Sequence, residues 1–224
     1  MIQLNNVQRH YVMSSETIKA LDGITLSIKS GERIVLLGPS GSGKTTLLNC
    51  ISGLDTPTYG EYLFGGNPVS GNSEDLTTFR RKNVGYVFQF FNLLQDLTVL
   101  ENVLLIQELS GQRDVNRAKE VLGLVGLESE IDRFPSEISG GQQQRVAIAR
   151  SIAKNPKLLL GDELTGNLDT ETSAKVMVVL TEACQKENIT TIMVTHDESL
   201  AKYATRVIRL DSGKVKSDEQ VKSE

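Results

Sequence analysis

Residues Gly38, Pro39, Ser40, Gly41, Ser42, Gly43, Lys44 and Thr45, with Thr46 directly behind, have the types and spacing needed to hold a polyphosphate. Glycines at 38, 41 and 43 let the backbone turn tightly and aim successive N–H groups at phosphate oxygens. A helix opening at Lys44 adds the positive end of its dipole. Lys44 supplies a point charge for β- and γ-phosphates, and Thr45 a hydroxyl for Mg²⁺. The run follows an apolar stretch and precedes a helical one, the context that makes a site of the string. The expected ligand is a nucleoside triphosphate.

Four further places carry chemistry. Leu158 to Gly161 is apolar and ends in Asp162 and Glu163, two adjacent carboxylates. At the C-terminal edge of a strand both can enter a cleft, Asp162 holding Mg²⁺ through water and Glu163 polarising an attacking water. His196 follows the strand 191–195, where a neutral imidazole can bond a γ-phosphate or orient the water. Gln89, after the strand 84–88, offers an amide carbonyl to Mg²⁺ or water. Ser139, Gly140, Gly141 and Gln142 precede a helix, with Ser139 as N-cap and the glycine pair exposing N–H donors to a second anion. Tyr11 is a candidate for stacking on adenine.

The elements that must position these groups follow from periodicity. Residues 2–7 and 24–29 alternate as half-buried antiparallel strands do, and 33–37 is a continuous apolar run suited to a buried parallel strand. Lys44 to Ile51 reads as a helix stopped at Gly53, 59–64 as a strand, and 65–73 as a loop without a packed role. Helical spacing recurs over 74–82, 99–109 and 115–125, the last N-capped by Asp114. Strands at 157–161, 191–195 and 206–210 alternate with helices at 171–186 and around 198–203, the pattern of a covered parallel sheet. We expect an α/β nucleotide-binding core over 1–89 and 156–213, an inserted helical subdomain over 90–155, and a charged tail that frays over 214–224.

Bulk properties narrow the function. At 224 residues the chain is large enough for one domain with an insertion. A net charge of −4 argues against nucleic acid as partner. The two cysteines, Cys50 and Cys184, lie far apart in apolar helical stretches and read as core residues in a reducing compartment. No run approaches the ~20 apolar residues of a membrane span, and the N-terminus has no signal-peptide pattern. A cytoplasmic protein is expected, one that acts at a membrane only through a separate partner.

Taken in order, these motifs resemble the nucleotide-binding subunit of ATP-binding cassette (ABC) transporters across nearly the whole chain. Tyr11 matches the aromatic loop, Gly38 to Thr45 Walker A, Gln89 the Q-loop, Ser139 to Gln142 the signature and Leu158 to Asp162 Walker B. Glu163 matches the catalytic glutamate, Leu168 and Asp169 the D-loop, and His196 the switch histidine. The wording at 88–94 and 165–169 is similar to the group containing the lipoprotein-release ATPase LolD, the macrolide exporter MacB and the cell-division protein FtsE.

The resemblance implies a P-loop NTPase core with an N-terminal antiparallel β-subdomain and an inserted α-helical subdomain. It also implies a homodimer holding ATP between Walker A of one copy and the signature of the other. It implies that the helical subdomain, near 90–102, receives coupling helices from a membrane permease, and hence a peripheral place on the cytoplasmic face of the membrane. Three positions depart from the family pattern. Ile138 replaces a leucine of similar volume. Gly161 replaces an alanine and is expected to loosen the strand end by about 0.5–1 kcal/mol. Leu164 replaces a proline, which is expected to leave Glu163 less constrained.

Other readings fit less of the chain. A GTPase or small-molecule kinase would leave Ser139 to Gln142 without a role, and no Asn-Lys-x-Asp guanine reader is present. A non-transport cassette of DNA repair or translation would bring a coiled-coil insertion or a second cassette. A regulatory, non-hydrolysing module conflicts with Glu163 and His196.

Overall fold

A computed structural model describes residues 1–13 and 16–221. The chain runs β1 (Ile2–Val12), β2 (Thr17–Ile28), β3 (Arg33–Leu37), α1 (Lys44–Ser52), β4 (Tyr59–Phe64), β5 (Asn67–Pro68), α2 (Ser73–Asn83) and β6 (Val84–Val87). It continues through α3 (Val99–Leu109), α4 (Val115–Leu124), α5 (Gly140–Ile152), β7 (Leu158–Asp162), α6 (Thr170–Lys186), β8 (Thr190–Val194), β9 (Arg206–Asp211) and β10 (Lys214–Gln220). Two compact units divide it: Met1–Arg80 with Thr190 onward, and Arg81–Ile189.

In the first unit, β1 pairs antiparallel with β2 and β4 in the order β2-β1-β4-β5. Ile2, Leu4, Val7, Leu21, Ile24 and Ile28 are buried; alternation accounts for Ile2 with Leu4 and for Ile24 with Ile28, and register shifts between Leu4 and Gln8 reset it for the others. Both long strands reach past the alternating segments to the tip at Val12 and Thr17, because ladder hydrogen bonds carry the polar residues there. A second sheet has the order β10-β9-β3-β8, with β3 parallel to both neighbours. Ile34 to Leu37 are buried, which explains their unbroken apolar run. Helix α1 ends at Gly53, whose φ of 73° suits glycine and whose N–H reaches the Asn49 and Cys50 carbonyls. Burial pushes the Cys50 thiol up to about 12, so it stays a core thiol.

In the second unit, β6 and β7 pair in parallel from Val84↔Leu158 to Val87↔Gly161. Thr98 and Glu101 cap α3 reciprocally, and Asp114 caps α4 by accepting from the Arg117 N–H. The Arg117 guanidinium then grips Glu187 at the end of α6, at 2.5 and 3.2 Å. Val103, Val121, Leu122, Val146, Ile148, Met177 and Leu180 fill the core among these helices.

Three expectations are corrected. Residues 214–220 do not fray: they form β10, antiparallel to β9 across the turn at Ser212 and Gly213, which have φ of 49° and 75°. The physical reason is Arg206 on β9, buried and paired with Asp218 of β10 by two bonds of 2.6 Å, with Glu32 at 3.2 Å. The last three residues of the expected tail lie outside the described residues. Within the expected loop 65–73, Asn67 and Pro68 pair with β4, and α2 begins at Ser73. The segment 198–203 is a 3-10 turn capped by Asp197, because the side chain of this residue takes the Ser199 N–H and holds the turn tight.

Candidate nucleotide site

The glycine-rich loop leaves β3 and enters α1, as its wording requires. Gly43 stands at the N-cap with φ 98°, no side chain caps the helix, and no acid occupies its first turn. The first-turn N–H donors are therefore not claimed by side chains and are suited to an anion, with the dipole behind them. A Cβ at Gly38 would lie 2.3 Å from the Leu210 carbonyl oxygen, and one at Gly43 2.4 Å from that of Ala20. Both glycines are thus required by close packing as well as by backbone shape. Lys44 is buried, and its ammonium donates to the Gly38 and Pro39 carbonyls at 2.7 and 2.8 Å. Those bonds hold a positive charge inside the loop. Ser42 Oγ is buried without a hydrogen-bond partner among the described residues. Pro39, Ser40, Gly41 and Thr45 are exposed, and Thr46 is half-buried.

Two further residues belong to this unit. The Tyr11 hydroxyl donates to Asp55 at 2.7 Å, and the Arg9 guanidinium, also bound to Asp55, sits 4.6 Å from the ring centroid. A base stacking on Tyr11 must therefore use the other face. Burial and the Asp55 carboxylate push the phenol pKa up, against the opposing pull of Arg9. His196 is exposed just beyond β8. The Thr195 N–H reaches the Leu36 carbonyl at 3.2 Å, so the histidine leaves the sheet at the edge where β3 enters the phosphate loop.

The second unit gathers another group. Gln89 and Glu163 each stand two residues past a paired position of β6 and β7, Val87↔Gly161, so both leave at one edge. Asp162 ends β7 and lies near Tyr86, whose phenol burial and this carboxylate push up. Glu163 has φ 50°, a left-handed conformation costing about 1 kcal/mol for a non-glycine residue. Its carbonyl accepts from the Gly166 N–H at 3.0 Å, closing a turn, and Asn167 Nδ2 donates to the Gln89 carbonyl at 3.0 Å. A Cβ at Gly166 would lie 3.1 Å from Gln89 Nε2. Gln89 and the Glu163 turn are thus in contact.

Asp162, Gln89 and Thr45 are hard oxygen donors. Among the described residues no cluster of three His, Cys, Asp or Glu side chains is present. Oxygen donors of this kind suit Mg²⁺, which takes few protein ligands and completes its shell with phosphate and water.

Ser139 caps α5: its Oγ accepts from the Gln142 N–H at 3.3 Å, while Gln142 Oε1 accepts from the Ser139 N–H at 2.9 Å. The Ser139 O–H proton is not used in that exchange. Gly141 is required for space, since a Cβ there would lie 2.5 Å from Thr172 Cγ2 of α6. The apolar cluster Phe90, Phe91, Leu93 and Leu94 is split between surface and core: Phe90 and Leu94 are 67% and 48% exposed, whereas Leu93 is buried.

Sequence reasoning missed several supports. Gly213 donates to the Ser42 carbonyl at 3.0 Å and accepts from the Asp22 N–H at 2.9 Å, so the hairpin of β9 and β10 braces the phosphate loop. The Ser-Gly dipeptide was the signal available for it. Arg150 of α5 holds the Phe91 and Asn92 carbonyls at 2.8 and 2.5 Å, and Gln144 holds that of Leu164 at 2.9 Å. No local pattern announces either.

Comparison with known proteins places this architecture. A family model described as ABC transporter matches residues 21–166. The chain is 44% identical, over its whole length, to ABC transporter H family member 2 of Dictyostelium discoideum, of which it spans 45%. It is 42% identical over 96% of its length to the lipoprotein-releasing system ATP-binding protein LolD of Syntrophus aciditrophicus, covering 98% of that protein. The dimeric post-hydrolysis structure of the cassette MJ0796 of Methanocaldococcus jannaschii, bound to ADP and Pi, superposes with a TM-score of 0.88 at 40% identity, each chain fully covered.

Proposed function

The chain belongs to the ABC transporter family, and on that footing we propose how its residues divide the labour of an ATP-binding, ATP-hydrolysing subunit. Lys44 and the first-turn N–H donors of α1 bind the β- and γ-phosphates, with Gly38 to Gly43 shaping the cradle. Tyr11 stacks on adenine. Thr45, Asp162 and Gln89 hold Mg²⁺, which when bound supplies positive charge to offset that of the phosphates. Glu163 takes the proton of the attacking water, and His196 orients the γ-phosphate and that water. In an ATP-bridged homodimer, Ser139 of the partner subunit, through its unused O–H proton, adds a donor to the γ-phosphate.

Exposed Phe90 and Leu94 offer an apolar grip to a membrane permease, whose own pocket would select the cargo. Such a subunit would sit peripherally at the cytoplasmic face of the membrane; among the described residues no helix is long and apolar enough to cross one. The observation that carries this reading is the uncapped, acid-free start of α1 beside a lysine buried in its own phosphate loop. The test is Glu163→Gln. Radiolabelled ATP should still bind and hydrolysis should fall by about 10²–10⁴-fold, with the dimer persisting on gel filtration. Hydrolysis at the parent rate would refute the assignment.

A further inference from the structure

Between Asp162 and the signature helix α5 lies a contact that the phosphate chemistry leaves unused. Gly161 has no left-handed φ, so its backbone does not demand glycine. Space demands it instead: a Cβ at 161 would lie 2.6, 2.7 and 3.0 Å from Cδ1, Cγ and Cδ2 of Leu164. Leu164 is 4% exposed and so has little room to swing aside. Its carbonyl is held at 2.9 Å by Gln144 Nε2 on α5, and Gln144 is fully buried. Between the two sits Glu163 at φ 50°, a conformation that folds the chain back so that Leu164 lies over Gly161. A proline at 164 would bias residue 163 away from that conformation, because its ring favours extended backbone at the preceding residue.

We propose that Gly161 and Leu164 form one positioning unit for Glu163, locking its left-handed backbone and hence the direction of its carboxylate. On this proposal the leucine, expected from sequence to leave the glutamate less constrained, is the constraint, and the glycine makes room for it. The proposal rests on Glu163 being the group that takes the water proton. A misdirected base slows the chemical step and spares nucleotide binding, because Lys44 and the start of α1 supply the phosphate contacts.

The test compares Gly161→Ala in two backgrounds, the parent and Leu164→Ala, by steady-state ATP hydrolysis with thermal melting of every variant. In the parent, Gly161→Ala should lower kcat about 10-fold, with KM for ATP within about twofold. In Leu164→Ala, where the obstructing atoms are gone, the same substitution should change kcat by less than about twofold. Leu164→Pro should also lower kcat without raising KM. An equal effect of Gly161→Ala in both backgrounds, or a loss confined to melting temperature, would overturn the proposal. Glu163→Gln is run alongside. If it hydrolyses ATP like the parent, both the assignment of Glu163 and this proposal fall. If it is inert while Gly161→Ala shows no dependence on residue 164, only the positioning unit falls.

Discussion

At the start of α1 no side chain takes the first-turn N–H groups, Gly43 occupies the N-cap, and a buried lysine stands just inside. At the start of α5 the serine and glutamine of the signature satisfy each other, and Gly141 lies close against Thr172. Both segments are glycine-rich, and both read from sequence as anion sites. The first leaves its donors for a ligand at the expense of its own stability. The second completes its own hydrogen bonds and keeps little more than a hydroxyl proton and the dipole for an outside phosphate. In the roles proposed for them, that difference in capping gives a strong primary grip and a weaker, conditional one.

The largest effect should come from the first helix. Lys44→Ala should weaken ATP binding by about 3 kcal/mol, roughly 100-fold, measured by fluorescent-nucleotide titration, because it removes the charge held in the loop. Equal affinity would erase the contrast between the two helix starts. Gly141→Ala comes next, with a loss of about 2 kcal/mol of stability in denaturant melts as the new methyl meets Thr172, and with ATP affinity of the protomer retained.

Ser139→Ala should cost about 1 kcal/mol through the lost cap, lowering the melting temperature by about 2–4 °C. Protomer affinity for ATP should again hold, while hydrolysis that depends on the dimer falls. A loss of protomer affinity as large as that of Lys44→Ala would show the two sites to be alike.

The smallest effect concerns α6, capped by a carboxylate. Hydrogen bonds from Thr172 hold the Asp169 carboxyl below its usual range. A depressed folded pKa contributes stability that is present at neutral pH and is lost as pH falls through that value. Melting curves should therefore show an acid-side decline below about pH 4 that Asp169→Asn lessens. An unchanged acid profile would remove Asp169 from the account.

The phosphate loop, the strand ending in Asp162, the caps at Asp114 and Ser139 and the stop at Gly53 were all legible in the sequence. Each depends on a residue and its immediate chain neighbours. β10 was not, because Lys214 to Gln220 read as a solvated tail until Arg206 is known to be buried opposite Asp218. Nor was the bracing of Ser42 by Gly213, two residues 171 positions apart in the chain (213 − 42). The split of the 90–94 cluster also lay beyond reach, since the same apolar residues serve core and surface equally well.

By itself, then, the sequence determined which groups are present for the proposed binding and cleavage of a triphosphate, since turn shape, helix start and carboxylate placement are short-range properties. Tertiary structure alone decided how firmly they are held. Whether Gly161 is a weak point or a socket depends on where the Leu164 side chain goes. That is settled by burial against surrounding elements, which no local pattern encodes.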